Sequence, residues 1–259
     1  MYPHRARRRF GQNFLADRSH IAIIVQAIDP QPDDRAVEIG PGLGALTGPL
    51  MERLRVLHVL EIDRDIVARL STQFPSDRLI VHQGDALEFD FGQLGADLRV
   101  IGNLPYNISS PLLFRAAEFS GIIRDCHFML QREVVDRMAA EPGSKVYGRL
   151  SVMLQYRFQV EKLFNVPAGA FRPMPQVDSA FVRLVPHAVL PAPARDERLL
   201  GDVVTKAFSQ RRKTARNALS DFATAEELSA LGIDPRLRPE NLSLEDFVRV
   251  ANAVASRQS

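Results

Sequence analysis

Between Arg35 and about Leu130, five short β-rich runs alternate with longer stretches of helical spacing, and this rhythm limits the fold more than any other feature. Ala36-Val37-Glu38-Ile39, Val56 to Leu60, Leu79 to His82, Arg99 to Ile101 and His127 to Leu130 read as strands. Between them, Asp63 to Gln73 carries apolar residues at helical spacing. Parallel strands need long crossovers, usually helical, so alternating βα units predict an α/β fold with a parallel sheet covered on both faces. In open sheets of this kind, ligands bind beyond the carboxyl ends of the strands.

The rhythm changes after Met153. Arg157 to Leu163 and Ala180 to Leu184 read as two further strands, separated by the proline-rich stretch from Pro167 to Pro175. Without an obvious crossover helix, they predict an antiparallel finish to the sheet. Pro186 to Pro193 reads as a linker, and Leu199 to Leu219, Leu228 to Leu231 and Leu244 to Val254 read as helices. The expected organisation is therefore a sheet domain over 1–185 and a small all-helical domain over 186–259. A length of 259 residues suits this arrangement.

Two motifs sit where such a sheet binds ligands. Glu38-Ile39-Gly40-Pro41-Gly42-Leu43-Gly44 follows the first strand, and its glycines let a nucleoside cofactor approach the backbone. Glycines also serve tight strand–helix packing, and Ala45 departs from the dinucleotide-binding spacing. Glu61 ends the second strand, where a carboxylate can accept ribose hydroxyl hydrogens. Asp85, in Gly84-Asp85-Ala86-Leu87, can accept from an adenine amine or cap a helix. Asn103-Leu104-Pro105-Tyr106 follows the apolar run ending at Gly102. An Asn side chain can hydrogen-bond the exocyclic amine of a base, and a Tyr ring can stack on it. Together these residues point to methyl transfer onto the amino group of adenine or a similar base.

These motifs resemble those of the S-adenosylmethionine-dependent rRNA adenine N6-dimethyltransferases. Further matching segments are Phe10-Gly11-Gln12-Asn13-Phe14-Leu15, Leu130 to Arg137, Tyr147 to Val152, Phe171 to Ser179 and Gln210 to Thr214, so the likeness spans nearly the whole chain. It implies a Rossmann-like class I methyltransferase fold, with a mostly parallel seven-stranded sheet, a late antiparallel strand and a helical C-terminal domain. It also implies S-adenosyl-L-methionine as cofactor, held by Asn13, Leu15, Gly40, Gly42, Glu61, Asp85, Ala86 and Asn103. In the implied reaction, the Asn103 oxygen and the Leu104 carbonyl accept the amine hydrogens, while Pro105 stiffens their turn. Tyr106 and Phe171 would stack on the base, although both could instead be core aromatics. Asn13 could equally cap a helix.

The implied substrate is a pair of adjacent adenines in the 3′-terminal hairpin loop of 16S rRNA, within the immature small ribosomal subunit. A net charge of +2 says little alone, but Arg7, Arg8 and Arg9 form one basic knot. Arg211, Arg212 and Lys213, with Arg216, form another. Such knots are often solvated faces; with RNA as substrate they become candidate phosphate contacts. On a helix, positions 211–213 would fan across roughly 200° and could not all enter one core.

The rest of the chain narrows the class. No apolar stretch approaches the roughly 20 residues of a membrane span, and the N-terminus lacks a signal-peptide core. A single cysteine, Cys126, excludes an internal disulfide and fits a core thiol in a reducing cytoplasm. The six histidines show no metal-ligand spacing, so no metal is expected. No heptad seam demands a dimer, and a monomer is expected. Three other readings remain: a large-subunit dimethyltransferase of the macrolide-resistance type, a non-catalytic ribosome-assembly factor, and an NAD-dependent oxidoreductase. Ala45 and the lack of an acid–base constellation speak against the last.

Overall fold

The computed structural model describes residues 13–258. In chain order its elements are β1 (Phe14–Leu15), α1 (Arg18–Ile28), β2 (Arg35–Ile39), α2 (Thr47–Met51), β3 (Leu57–Glu61), α3 (Arg64–Gln73), β4 (Leu79–Gln83), β5 (Leu98–Asn103), α4 (Ser109–Glu118), β6 (Ile123–Gln131) and α5 (Arg132–Met138). There follow α6 (Arg149–Arg157), β7 (Phe158–Val166), β8 (Phe171–Arg172), β9 (Ser179–Pro186), α7 (Glu197–Ser209), α8 (Ala215–Ala218), α9 (Ala225–Ala230) and α10 (Leu244–Gln258).

Seven strands form one sheet in the order β4-β3-β2-β5-β6-β9-β7. The pairs β3–β4, β2–β3, β2–β5 and β5–β6 are parallel, and β9 joins β6 antiparallel, as the late strands predict. The central strands are buried on both faces, which explains their unbroken apolar runs. Strand order reverses between β2 and β5, since β3 continues one way and β5 the other. That reversal opens a crevice at the carboxyl ends of both strands. The helix after β3 starts where Asp63 caps it, accepting from the Asp65 N–H at 3.1 Å. It ends at Phe74, whose extended backbone precedes Pro75.

β6 begins at Ile123, earlier than hydropathy suggests, because its charged residues are paired inside the fold. The Arg99 guanidinium bonds Asp125 at 3.0 and 2.9 Å, Asp34 at 2.7 Å and the Ile28 carbonyl at 2.6 Å. The charged groups lie at the amino-terminal ends of β2, β5 and β6, and Ile28 ends α1. Burial opposes ionisation of Asp125, but the neighbouring His127 and Arg99 outweigh it and hold its carboxyl at about 2.

The described chain divides into two compact units. One holds the residues up to Val135 together with Val160–Pro186. Its core includes Ile24, Val59, Leu70, Ile101, Met129 and Phe181. The second holds Asp136–Gln159 and the residues from His187 onward. The single expected cut near Pro186 is thus only part of the division. Tyr147, Val152 and Tyr156 are buried with Leu200, Val203, Phe247 and Val250, so the excursion 136–159 belongs to the second core and not to a contiguous 1–185 domain.

The helix expected over Leu199 to Leu219 is also broken. α7 is capped by Asp196, buries Leu200, Val203, Val204 and Ala207, and stops at Ser209. Residues 210–214 form a turn before α8. Its continuation finds tertiary partners instead of helical ones: Ala215 N–H donates to Leu237 carbonyl at 2.6 Å and Arg216 N–H to Pro235 carbonyl at 3.1 Å. These contacts override the helical propensity of Gln-Arg-Arg-Lys.

Candidate active site

The crevice at the β2–β5 reversal is an open cleft of about 1120 Å³, solvent at its mouth included. Asn13, Leu15, Gly40, Gly42, Glu61, Asp85, Ala86, Asn103, Leu104, Pro105 and Tyr106 all line it. Positions spread over more than ninety residues of sequence are thus brought together by the carboxyl ends of four neighbouring strands and by the short strand β1.

The glycine turn makes the floor. Gly40 and Gly42 adopt φ of 66° and 55°, a region costly for residues with a Cβ. A Cβ at Gly40 would project into open space, whereas one at Gly42 would lie 2.9 Å from the Phe14 ring. Phe14 can therefore pack over the turn only because position 42 is glycine. β1 itself is held by β8, with Leu15 opposite Phe171 and Phe14 opposite Arg172. Two strands of two residues leave no periodicity to read, and the sequence gives no sign of this pairing.

Three carboxylates reach the cleft. Glu61 is buried; its Oε1 accepts from the Asp63 N–H at 2.9 Å, and burial pushes its carboxyl above the ordinary range. Asp85 Oδ1 accepts from the Leu87 N–H at 2.9 Å within a turn and not at the head of a helix, so the side chain braces its own turn while it lines the cleft. Glu38 was not among the expected site residues. It is buried, receives the Thr47 hydroxyl at 2.6 Å, and is pushed up to about 7. Burial is the main cause, reinforced by the Glu61 charge and opposed by Thr47. The available signal was its place as the acid that opens the glycine motif at the end of a buried strand.

The opposite wall is Asn103 to Tyr106. The Asn103 Nδ2 donates to the Asn13 carbonyl at 2.9 Å, which leaves Oδ1 as the acceptor end of the amide. The Leu104 N–H donates to Met129 carbonyl at 3.1 Å, tying the turn to β6. The Ser109 hydroxyl donates to Pro105 carbonyl at 3.0 Å. Tyr106 Oη and Ser179 Oγ lie 2.9 Å apart, and burial raises the phenol above its usual range. Gly102 makes the approach possible, because a Cβ there would sit 2.9 Å from Ile39 carbonyl oxygen and 2.7 Å from Leu104 Cδ2.

Phe171 requires correction. Its side chain is wholly buried in the first unit's core, and it is absent from the residues lining the cleft. Its pairing with Leu15 in the β8–β1 ladder turns it inward, so it supports the strand that carries Asn13 and does not offer a face to a base. Arg7, Arg8 and Arg9 lie outside the described residues.

In the second unit, Arg211 is committed to structure. It is ion-paired with Glu240 at 2.7 Å and donates to Lys145 carbonyl at 2.5 Å. Arg212 and Lys213 are exposed. Cys126 is buried, and burial raises its thiol well above the ordinary value. Among the described residues, no helix is long and apolar enough to cross a membrane.

A nucleoside-sized cleft with a glycine floor, facing an amide whose acceptor end is fixed beside an aromatic ring, defines a methyltransferase of the Rossmann-like class. A family model described as ribosomal RNA adenine dimethylase matches residues 3–256, and the chain belongs to that family. It is 58% identical to the ribosomal RNA small subunit methyltransferase A of Aromatoleum aromaticum, covering 99% of this chain and 97% of the relative. Identity to the protein of the same name from Chromobacterium violaceum is 59%, with 97% of each covered. Among solved structures, a dimethyladenosine transferase from Plasmodium falciparum matches with a TM-score of 0.79 at 24% identity, covering 95% of this chain and 98% of that one. The 23S rRNA methyltransferase ErmE matches with a TM-score of 0.73 at 25% identity, covering 94% and 100%.

Proposed function

We propose that this chain dimethylates the N6 amino groups of two adjacent adenines in the 3′-terminal hairpin loop of 16S rRNA. It would act as a cytoplasmic monomer on the immature small ribosomal subunit, with S-adenosyl-L-methionine as methyl donor. The identity of 58–59% to small-subunit methyltransferases, over nearly the whole of both chains, supports the small-subunit substrate over the large-subunit one.

The cleft fits this cofactor. The open space above Gly40, where an added Cβ would meet no atom within 4 Å, suits its methionine portion. Glu61 suits the ribose hydroxyls, Asp85 the adenine amine, and Asn13, Leu15, Gly42 and Ala86 complete the enclosure. Glu38 and Glu61 place two carboxyl groups in a buried environment that favours a cationic ligand. When bound, S-adenosyl-L-methionine supplies an electrophilic methyl group.

The observation that carries the catalytic reading is the fixed amide of Asn103. An adenine amine is a weak nucleophile because its lone pair is delocalised into the ring. With Oδ1 of Asn103 and the Leu104 carbonyl accepting its hydrogens, the nitrogen pyramidalises and its lone pair becomes directional. Pro105 and the Ser109 hydrogen bond stiffen both acceptors, so little reorganisation is needed at the moment of transfer. Tyr106 stacks on the base, a contact worth about 1–3 kcal/mol.

Transfer of labelled methyl groups to immature small subunits, compared with mature large subunits and naked RNA, tests the proposal. Selective labelling of adenines in the small subunit is expected. Labelling of large subunits would favour the macrolide-resistance type, and RNA binding without transfer would favour an assembly factor.

A further inference from the structure

The loop 173–178 between β8 and β9 is anchored at both ends to residues that line the cleft. At one end Arg172 and Phe171 pair with Phe14 and Leu15; at the other, Ser179 is hydrogen-bonded to Tyr106. The loop is also braced from within. The Ala168 N–H donates to Asp178 Oδ1 at 3.1 Å, and the Arg132 N–H donates to Asp178 carbonyl at 3.0 Å. Arg132 additionally reaches Asp178 Oδ2 at 3.4 Å. Pro173 and Pro175 restrict the backbone further, and Pro175 is buried.

This rigid frame turns two apolar side chains outward. Met174 is 67% exposed and Val177 is 47% exposed. Among the large hydrophobic residues described, only Val189, in the linker, is more exposed than Met174. Folding gains nothing from an apolar side chain held in water. The neighbouring Arg172 is exposed too, with its guanidinium steadied by the Gly169 and Phe171 carbonyls at 2.9 and 2.7 Å. A cation beside an apolar ledge matches a nucleotide, which combines an anionic phosphate with a flat apolar face.

We propose that Met174, with Val177, is the ledge on which a base flanking the target adenine stacks once the target has left its own stack. This rests on the RNA-adenine reading of the cleft. A base that must enter an enclosed site leaves its neighbours with an uncovered face, and unstacking costs a few kcal/mol. Apolar wedges such as Met cover that face, and the unbranched, polarisable thioether adapts to a purine or a pyrimidine. Because the loop is braced before RNA arrives, little order has to be imposed on binding. Met174 is thus a substrate-positioning residue and Arg172 the adjoining phosphate contact.

The test uses the full-length protein with immature small subunits as methyl acceptor, and a hairpin RNA carrying 2-aminopurine beside the target adenine. Met174→Ala should raise KM for the subunit about tenfold, the scale of one lost base contact. Its kcat, cofactor affinity and melting temperature should stay close to wild type, and Met174→Leu should restore most of the KM. The 2-aminopurine emission change on binding wild type should be largely lost with Met174→Ala. A Met174→Ala protein with the KM and emission of wild type overturns the ledge while leaving the cleft assignment intact. So does a variant that loses kcat alone. Failure of the wild type itself to methylate small subunits removes the underlying reading, and the ledge with it.

Discussion

The side-chain amide of Asn103 donates to the backbone carbonyl of Asn13 at 2.9 Å, across 90 residues of sequence. One end of the amide is thereby occupied by the segment that closes the cleft, and the other is left to accept hydrogens from a substrate. Asn103→Ala removes both functions. We expect methyl transfer to fall by about 100-fold or more, on the scale of losing one preorganised polar group at a reacting centre. Binding of small subunits should change little, since the amide aligns the amine and does not grip the backbone. Near-normal turnover in this variant would take Asn103 out of the mechanism.

Glu61 makes a separable prediction. Its Oε1 is held by the Asp63 N–H, leaving the carboxylate poised over the cleft. Glu61→Ala should weaken S-adenosyl-L-methionine binding by about 10- to 100-fold, the value of a hydrogen bond to a charged group. RNA affinity should be retained. Titration calorimetry that finds cofactor affinity unaltered would remove Glu61 from the ribose position.

Gly102 tests whether the wall is built by backbone approach. An added methyl group would collide with Ile39 carbonyl oxygen on the neighbouring strand, which is backbone and cannot rotate away. Gly102→Ala should therefore destabilise the protein by about 1–3 kcal/mol in urea unfolding. It should also impair transfer, because Asn103 follows directly. A variant as stable as wild type would show that β2 and β5 can separate without cost.

Much of this arrangement was legible in the sequence. The glycine turn, Glu61, Asp85 and Asn103 to Tyr106 could be placed because each follows or ends a parallel strand, and strand ends converge in a parallel sheet. What escaped was decided by long-range contacts. Phe171 is expected to stack on the base from the proline-rich stretch, with a core position as the alternative, and its two-residue ladder with Leu15 selects the core. The excursion 136–159 has no composition shift at its borders and joins the second core only through packing. The early start of β6 was hidden by Arg124 and Asp125, whose charges are matched by partners distant in sequence.

Asp125 gives the acid limit of stability. Its carboxyl titrates at about 2 in the folded protein, below the ordinary value near 4 in the unfolded chain. Because the folded value is the lower one, the unfolded state binds more protons in between. The contribution is complete above about pH 4 and is lost as pH falls through about 2. Its size is about 2–3 kcal/mol from the shift. Asp125→Asn should flatten this limb of the stability–pH curve. It should also lower stability at neutral pH, because buried Arg99 loses one of its two carboxylate partners and keeps Asp34. A curve that keeps its wild-type slope between about pH 4 and pH 2 would assign the acid transition to other carboxylates.

The basic turn at 211–213 divides by structure into two roles. Arg211 is bonded to Glu240 and to Lys145 carbonyl, so it clips separate segments of the second unit together. Arg212 and Lys213 are exposed in the same turn and are available to phosphates. Neutralising a phosphate releases counterions, so each lost contact should flatten the salt dependence of binding by about one unit. Arg212→Ala and Lys213→Ala should weaken binding to immature small subunits, reduce the salt slope and leave the melting temperature alone. Arg211→Ala should do the reverse, lowering the melting temperature with a smaller change in slope. If all three substitutions alter the slope equally and none affects melting, the clip is not a stability element and Arg211 is one more phosphate contact. If none alters the slope, the turn is a solvated surface and RNA is held elsewhere.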